Sequence, residues 1–183
     1  MPSITIENYL KQIFLLSQEG DGGHVSMGRI AQRMSVVPGT ATTMVKSMKR
    51  SGWLEYEARI GVILTESGRE LALRVLRKHR IVEMFLVQVL QLDWAEINEE
   101  AELLEHAISD KLVEKMDAYL GFPKADPHGD PIPSASGKLV KRKLIKLIDA
   151  EAGSRLMISR IKQQEQKFLQ YIHNIGLTPG TEV

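Results

Sequence analysis

The stretch "SMGRIAQRMSVVPGTATTMVKSMKRSGWLEYEARIGVIL", residues 26–64, decides the fold. Ser26 stands as an N-cap before a short run in which Met27, Ile30, Ala31 and Met34 share one helical stripe. "SVVPG" turns the chain, and Pro38 sits near the start of the next helix, where a missing N–H costs least. In that helix, about 39–51, Ala41, Met44, Val45 and Met48 face inward, and Gly52 closes it. Leu54 and Tyr56, then Val62 and Leu64, alternate as two short strands joined by "ARIG". Helix, turn, helix and a two-stranded wing make a winged helix-turn-helix, whose second helix enters the major groove of DNA. Its outward residues Thr40, Thr42, Thr43, Lys46, Lys49 and Arg50, with Pro38 at its start, are the candidate DNA contacts. Arg59 at the wing tip and Arg29 and Arg33 on the supporting helix are placed to add phosphate contacts.

Outward from this core, residues 4–18 carry Ile6, Leu10, Ile13 and Leu15 or Leu16 at helical spacing, and "EGDGGH" (19–24) breaks the helix. After the wing, Thr65 caps a long helix whose apolar pattern runs through Leu71, Val75, Val82, Phe85 and Leu86 towards Leu90. A single further helix is predicted over roughly 96–119. Residues 121–137, rich in Pro and Gly, form a loop. Alternation over 155–161 predicts a strand, "QEQKFLQYIHN" a short helix, and "GLTPGTEV" a turn into another strand.

The chain has 183 residues, enough for one or two domains with a proper core, and no cysteine, which excludes disulfides and thiolate metal ligands. No apolar run reaches the length of a membrane span and no signal sequence opens the chain, so a cytoplasmic protein without a membrane partner is expected. Net charge is only +1, but it is unevenly spread. Residues 26–80 hold eleven Lys/Arg against four Glu, a balance of +7. Residues 81–130 hold three against twelve Asp/Glu, −9, and residues 131–183 nine against four, +5. A basic segment followed by an acidic one suggests a polyanion-binding module joined to one that binds cations or a protein partner.

The acidic segment carries the second chemistry. His79 and Glu83 lie four apart on one face of the long helix. In "EEAELLEH" (99–106), Glu99, Glu102, Glu105 and His106 line one helical face. Asp126 and His128 sit in the Pro/Gly loop. Each cluster alone has a plainer reading, the helical ones as solvated faces or a surface His–Glu hydrogen bond. Together they make a candidate metal site of oxygen and nitrogen donors, which suits Mn(II) or Fe(II), with Zn(II) able to bind in vitro. A metallohydrolase would also need a nucleophile or substrate-pocket motif, and none is present, so an enzyme is not expected.

"RKHRIVEMFL" (77–86), "EEAELLEHAISDKLVEKMDAYLGFP" (99–123) and "PHGDPIP" (127–133), in that order, resemble the diphtheria-toxin-repressor family of metal-dependent transcriptional repressors, most of all its manganese-responsive branch. The resemblance implies a mainly α chain: a winged helix-turn-helix over 1–75, a helical dimerisation and metal-binding domain over 76–137, and a linker with a partial SH3-like segment over 138–183. Only the opening of that third domain is expected, from a truncated or vestigial module. The resemblance further implies operator DNA bound as a homodimer once metal is bound, with metal joining the first helix to the dimerisation domain. One metal site falls on His79, Glu83, Asp126 (where the branch has cysteine) and His128, with Gln163, Gln164 or Glu165 nearby. The other falls on Glu102, Glu105 and His106 together with Asn8, where the branch has aspartate. An amide there brings no charge, and Lys11, one turn on, is expected near the carboxylates. The remaining alternative is a winged-helix regulator with degenerate metal sites that acts without metal.

Overall fold

The computed structural model describes residues 2–20, 23–140 and 142–183. The chain divides into two compact units, one ending at Leu76 and one beginning at Arg77. Among the described residues, no helix is long and apolar enough to cross a membrane.

In the N-terminal unit, α1 (Ile4–Glu19) packs on α2 (Met27–Arg33), and α2 on α3 (Pro38–Arg50). The middle of the predicted 19–24 break lies outside the described residues. Ser26 caps α2 by accepting from the Arg29 N–H, and Pro38 begins α3. Strands β1 (Leu54–Glu57) and β2 (Gly61–Leu64) pair antiparallel, with Leu54 opposite Leu64 and Glu57 opposite Gly61. Val25 adds a backbone bridge to Val62, so the chain before α2 lies against the wing. That close approach is why Gly61 is a glycine: at φ 134°, any Cβ would press on the Val25 backbone. Leu10, Ile13, Phe14, Ile30, Val45, Met48, Leu54 and Val62 are all buried. They come from one face of each element, as the periodicities predict.

Thr65 caps α4 (Glu66–Gln88), its hydroxyl accepting from the Gly68 N–H. Where one helix is predicted over 96–119, there are two: α5 (Ile97–Ala107) and α6 (Asp110–Tyr119). Ile108 turns extended, and the Ser109 hydroxyl caps the second helix by accepting from the Leu112 N–H at 3.2 Å. Ile81, Val82, Met84 and Leu86 from α4 share a core with Ile97, Ala101, Val113, Met116 and Ile132. A smaller core joins Trp94 and Ala95 to Leu169 and Ile172 of α7 (Gln166–Asn174).

The strands predicted at 155–161 and 180–183 do not form a sheet of their own length. They meet each other at one bridge, Met157 to Glu182, held by four backbone hydrogen bonds between Leu156 and Val183, Ile158 and Thr181, and Gly180 and Ile158. Residues 138–140 and 142–149 are mostly exposed, including a short 3-10 turn, Leu147–Asp149.

Candidate metal centre and nucleic-acid interface

The centre is built from α4 outward, and the four residues Arg77, Lys78, His79 and Arg80 divide the work. Arg77 binds Asp117 of α6 at 2.6 Å and the Pro133 carbonyl at 2.7 Å. Lys78 donates to the Ile108 carbonyl at 2.9 Å and pairs with Asp110 at 2.9 Å, so it holds the α5–α6 junction. Arg80, almost fully buried, donates to the Pro131 carbonyl and lies 3.3 Å from Asp126 Oδ2. Three cations thus fasten α6, the junction and the 126–133 loop around His79.

His79 Nδ1 lies 2.7 Å from Glu105 Oε2, and its Nε2 lies 3.3 Å from Glu83 Oε1. Glu105 Oε1 meets His106 Nε2 at 3.0 Å. A neutral imidazole carries one N–H. A neutral His79 donates to one of these carboxylates and turns a lone pair to the other, where a proton or a cation fits between them.

The loop contributes the other half. Asp126 Oδ1 accepts the backbone N–H groups of His128 and Asp130, both at 2.9 Å, which leaves Oδ2 for Arg80 and the interior. His128 is 1% exposed and donates from Nε2 to the Trp94 carbonyl at 2.9 Å. A carbonyl only accepts, so Nε2 carries a proton, and in the neutral ring Nδ1 keeps the lone pair. That atom is buried with no hydrogen-bond partner and points towards Glu83 Oε1, 3.8 Å away. A carbonyl fixing the tautomer of a histidine whose other nitrogen stands bare is the support that metal-binding histidines receive.

Among the described residues, two groups of donor atoms each fall within 4.8 Å of one another: His79 with Glu102 and Glu105, and Glu83 with Asp126 and His128. His79 adjoins both groups, with Nδ1 facing Glu105 and Nε2 facing Glu83, so the two clusters are neighbours linked through its ring. Burial pushes the Glu83 carboxyl up, but the charge and hydrogen bond of His79, then His128 and Arg80, outweigh it and hold it below the usual range. Burial and the Glu83 charge push Asp126 up to about 8, against the pull of Arg80. A dication would relieve this concentration of buried carboxylates, and the donors are all oxygen or nitrogen. Asn8 is half-buried on α1 in the N-terminal unit, and Lys11 is buried there.

On the DNA-binding side, Thr40, Thr43, Lys46 and Lys49 are exposed along α3, and Thr42 is half-buried. The Thr42 and Thr43 hydroxyls donate to the carbonyls of Pro38 and Gly39, and Lys49 donates to the Tyr56 carbonyl at 3.0 Å. Arg59 stands at the wing turn with φ 71°. Arg29 and Arg33 are not free cations: both bind Glu19, at 2.7 and 2.5 Å.

Residues 1–62 match the family model "Iron dependent repressor, N-terminal DNA binding domain", and residues 65–134 match "Iron dependent repressor, metal binding and dimerisation domain". The iron-dependent repressor IdeR of Mycobacterium leprae is 30% identical over 191 residues, covering 98% of this chain and 82% of the relative. This chain belongs to the iron-dependent repressor family. Among solved structures, a manganese-dependent transcriptional repressor in complex with manganese superposes with a TM-score of 0.87 at 37% identity, covering 97% of this chain and 81% of that one. ScaR with bound Zn2+ superposes at 0.80 with 35% identity, over 99% and 82%. Both family domains fall on the elements described above, the DNA-binding domain on α1 to β2 and the metal-binding domain on α4 to the 126–133 loop. The family's sequence signature exposed the candidate ligands. Arg80 and Asp130 lie inside the quoted stretches but were not singled out, and Trp94 lies outside them; all three touch the candidate ligands or their loop.

Proposed function

We propose that this repressor binds operator DNA as a homodimer when Mn(II) or Fe(II) occupies the centre in its metal-binding domain, and so controls genes of metal-ion homeostasis in the cytoplasm. The observation that carries the reading is the bare, buried Nδ1 of His128 aimed at Glu83, with Asp126 beside it. Such an atom costs about 1–3 kcal/mol if left unsatisfied, and a metal ion supplies its partner. The ligands in this reading are Glu83, Asp126 and His128 for one ion, and His79, Glu102, Glu105 and His106 with Asn8 for the other. The metal favours the DNA-competent state only through a difference in affinity between states. Thr40, Thr42, Thr43, Lys46 and Lys49, with Pro38 at the helix start and Arg59 at the wing, form the DNA surface; Arg29 is held by Glu19 and adds less. Exposed Leu103, Leu112, Tyr119 and Phe122 supply apolar area for a second copy.

The test is anaerobic calorimetry of the metal-free protein with Mn(II), followed by retention of DNA fragments selected by the metal-loaded protein. Two ions per chain are expected, one of them lost in His128→Ala, and a chelator should release the DNA. One ion in place of two means that Asn8 is too weak a partner for the α5 cluster. Retention that ignores the chelator moves the reading to a metal-independent winged-helix regulator.

A further inference from the structure

Asp126 and His128 lie on a loop rather than on a helix or strand, and a loop holds a ligand geometry only if something holds the loop. Arg80 holds one side of it. The other side is held by the C-terminal segment 156–164. The Ile161 N–H donates to the His128 carbonyl at 2.8 Å. Arg160 Nη2 pairs with Asp130 Oδ1 at 2.5 Å, and Gln164 Nε2 donates to Asp130 Oδ2 at 3.0 Å. Gly129, at φ 87°, lies so close to this segment that a Cβ would overlap the Ser159 carbonyl oxygen. Both oxygens of Asp130 are therefore engaged by the segment, while its backbone N–H holds Asp126 Oδ1. His128 is reached by a second route: Leu169 and Ile172 of α7 pack on Trp94, whose ring lies tilted against His128 with centroids 5.2 Å apart and whose carbonyl accepts from His128 Nε2.

We propose that segment 156–164, latched through Arg160 to Asp130, is a clamp that positions Asp126 and His128, so that docking of this segment and metal binding at Glu83, Asp126 and His128 strengthen one another. The inference rests on the metal reading above, but it assigns the segment a role that needs no ligand from it. Arg160 is a positioning residue. Its side chain is 40% exposed while Asp130 is 4% exposed, so removing the guanidinium leaves a buried carboxylate with less compensation beside the ligand loop. Groups that orient a ligand typically change metal affinity by about 10- to 100-fold. Coupling between the two events is reciprocal by linkage, so metal must hold the segment by the same factor that the segment tightens metal.

The experiment compares Arg160→Ala, Arg160→Lys, Ile161→Pro and His128→Ala as full-length protein. Ile161→Pro removes the N–H to the His128 carbonyl without altering charge. Mn(II) calorimetry is paired with hydrogen exchange over 156–164, with and without Mn(II). Arg160→Ala and Ile161→Pro are expected to weaken the site that His128→Ala abolishes by about tenfold, and to leave the other site unchanged. Arg160→Lys should recover most of the loss, and Mn(II) should slow exchange of 156–164 in the wild type but much less in Arg160→Ala. A site lost in His128→Ala but untouched in Arg160→Ala and Ile161→Pro overturns the clamp and leaves the metal reading standing. Equal weakening of both sites overturns it too, since that is general destabilisation. Mn(II) binding that is unchanged in His128→Ala overturns the metal reading and the clamp together.

Discussion

Glu19 shows how a single side chain alters a functional reading. Partial burial pushes its carboxyl up, but the hydrogen bond and charge of Arg33, followed by those of Arg29, more than offset this and hold it below its usual 4.5. A carboxyl whose folded value is depressed adds stability that is fully present above the unfolded value and is lost as pH falls through the folded one. Glu19→Gln should therefore lower thermal stability at pH 7, by about 0.2–1 kcal/mol for a partly exposed pair, and the gap from wild type should narrow as pH falls below the ordinary 4.5 and through the lowered folded value. A gap that does not narrow at all as the solution is acidified would mean packing, not charge, was lost. This pairing was not legible in the sequence. Glu19 lies ten and fourteen residues before its partners, a separation set by how α1 meets α2 and not by any helical period. The same holds in the centre. The candidate ligands could be read from a family signature and from i, i+4 spacing, but that His79 faces Glu105 more closely than Glu83 depends on the packing of α5 against α4.

At the scale of elements, the winged helix was the most readable part because each of its signals is local: Ser26, Pro38, the alternation in β1 and β2, and Thr65. The helix over 96–119 misled because apolar periodicity continues through "HAISDK" while the backbone does not. Ser109 is the stop and start signal, reinforced by Lys78, which takes the Ile108 carbonyl that the broken helix leaves open. α6 then brings Val113 and Met116 into the core and Asp117 to Arg77. Ser109→Ala removes the cap and should cost about 1 kcal/mol, seen as a lower urea midpoint with an unchanged slope. Mn(II) affinity should fall as well, because α5, which carries Glu102 and Glu105, ends at this junction. A midpoint within error of wild type would show that Lys78 alone secures the break. The C-terminal alternation predicts a strand for a sound local reason, but among the described residues it is met by one bridge and four hydrogen bonds, too little for a sheet.

Over the whole molecule, the charge segregation seen in sequence overstates the cations available to DNA. Of the eleven Lys/Arg between 26 and 80, Arg29 and Arg33 are bound to Glu19, Arg77 to Asp117, Lys78 to Asp110 and Arg80 to Asp126. Lys49 is tied to the Tyr56 carbonyl and lies 3.9 Å from Glu55. Lys46, by contrast, is exposed on α3 and carries no ion pair among the described residues. Each phosphate neutralised by a protein cation releases condensed counterions, so the logarithm of the DNA-binding constant falls with the logarithm of salt by about 0.9 for each contact. Lys46→Ala should reduce that slope by about one while weakening binding uniformly across sequences. Arg29→Ala should reduce it by less, because its charge is already shared with Glu19. The comparison is made by fluorescence anisotropy on one selected operator fragment between 50 and 200 mM salt, roughly the range over which such slopes are resolved, with Mn(II) held saturating. Equal slope changes in the two variants would mean that Glu19 releases Arg29 to the DNA on binding. An unchanged slope in Lys46→Ala would remove α3's central lysine from the phosphate contacts and shift the interface towards the wing and Arg59.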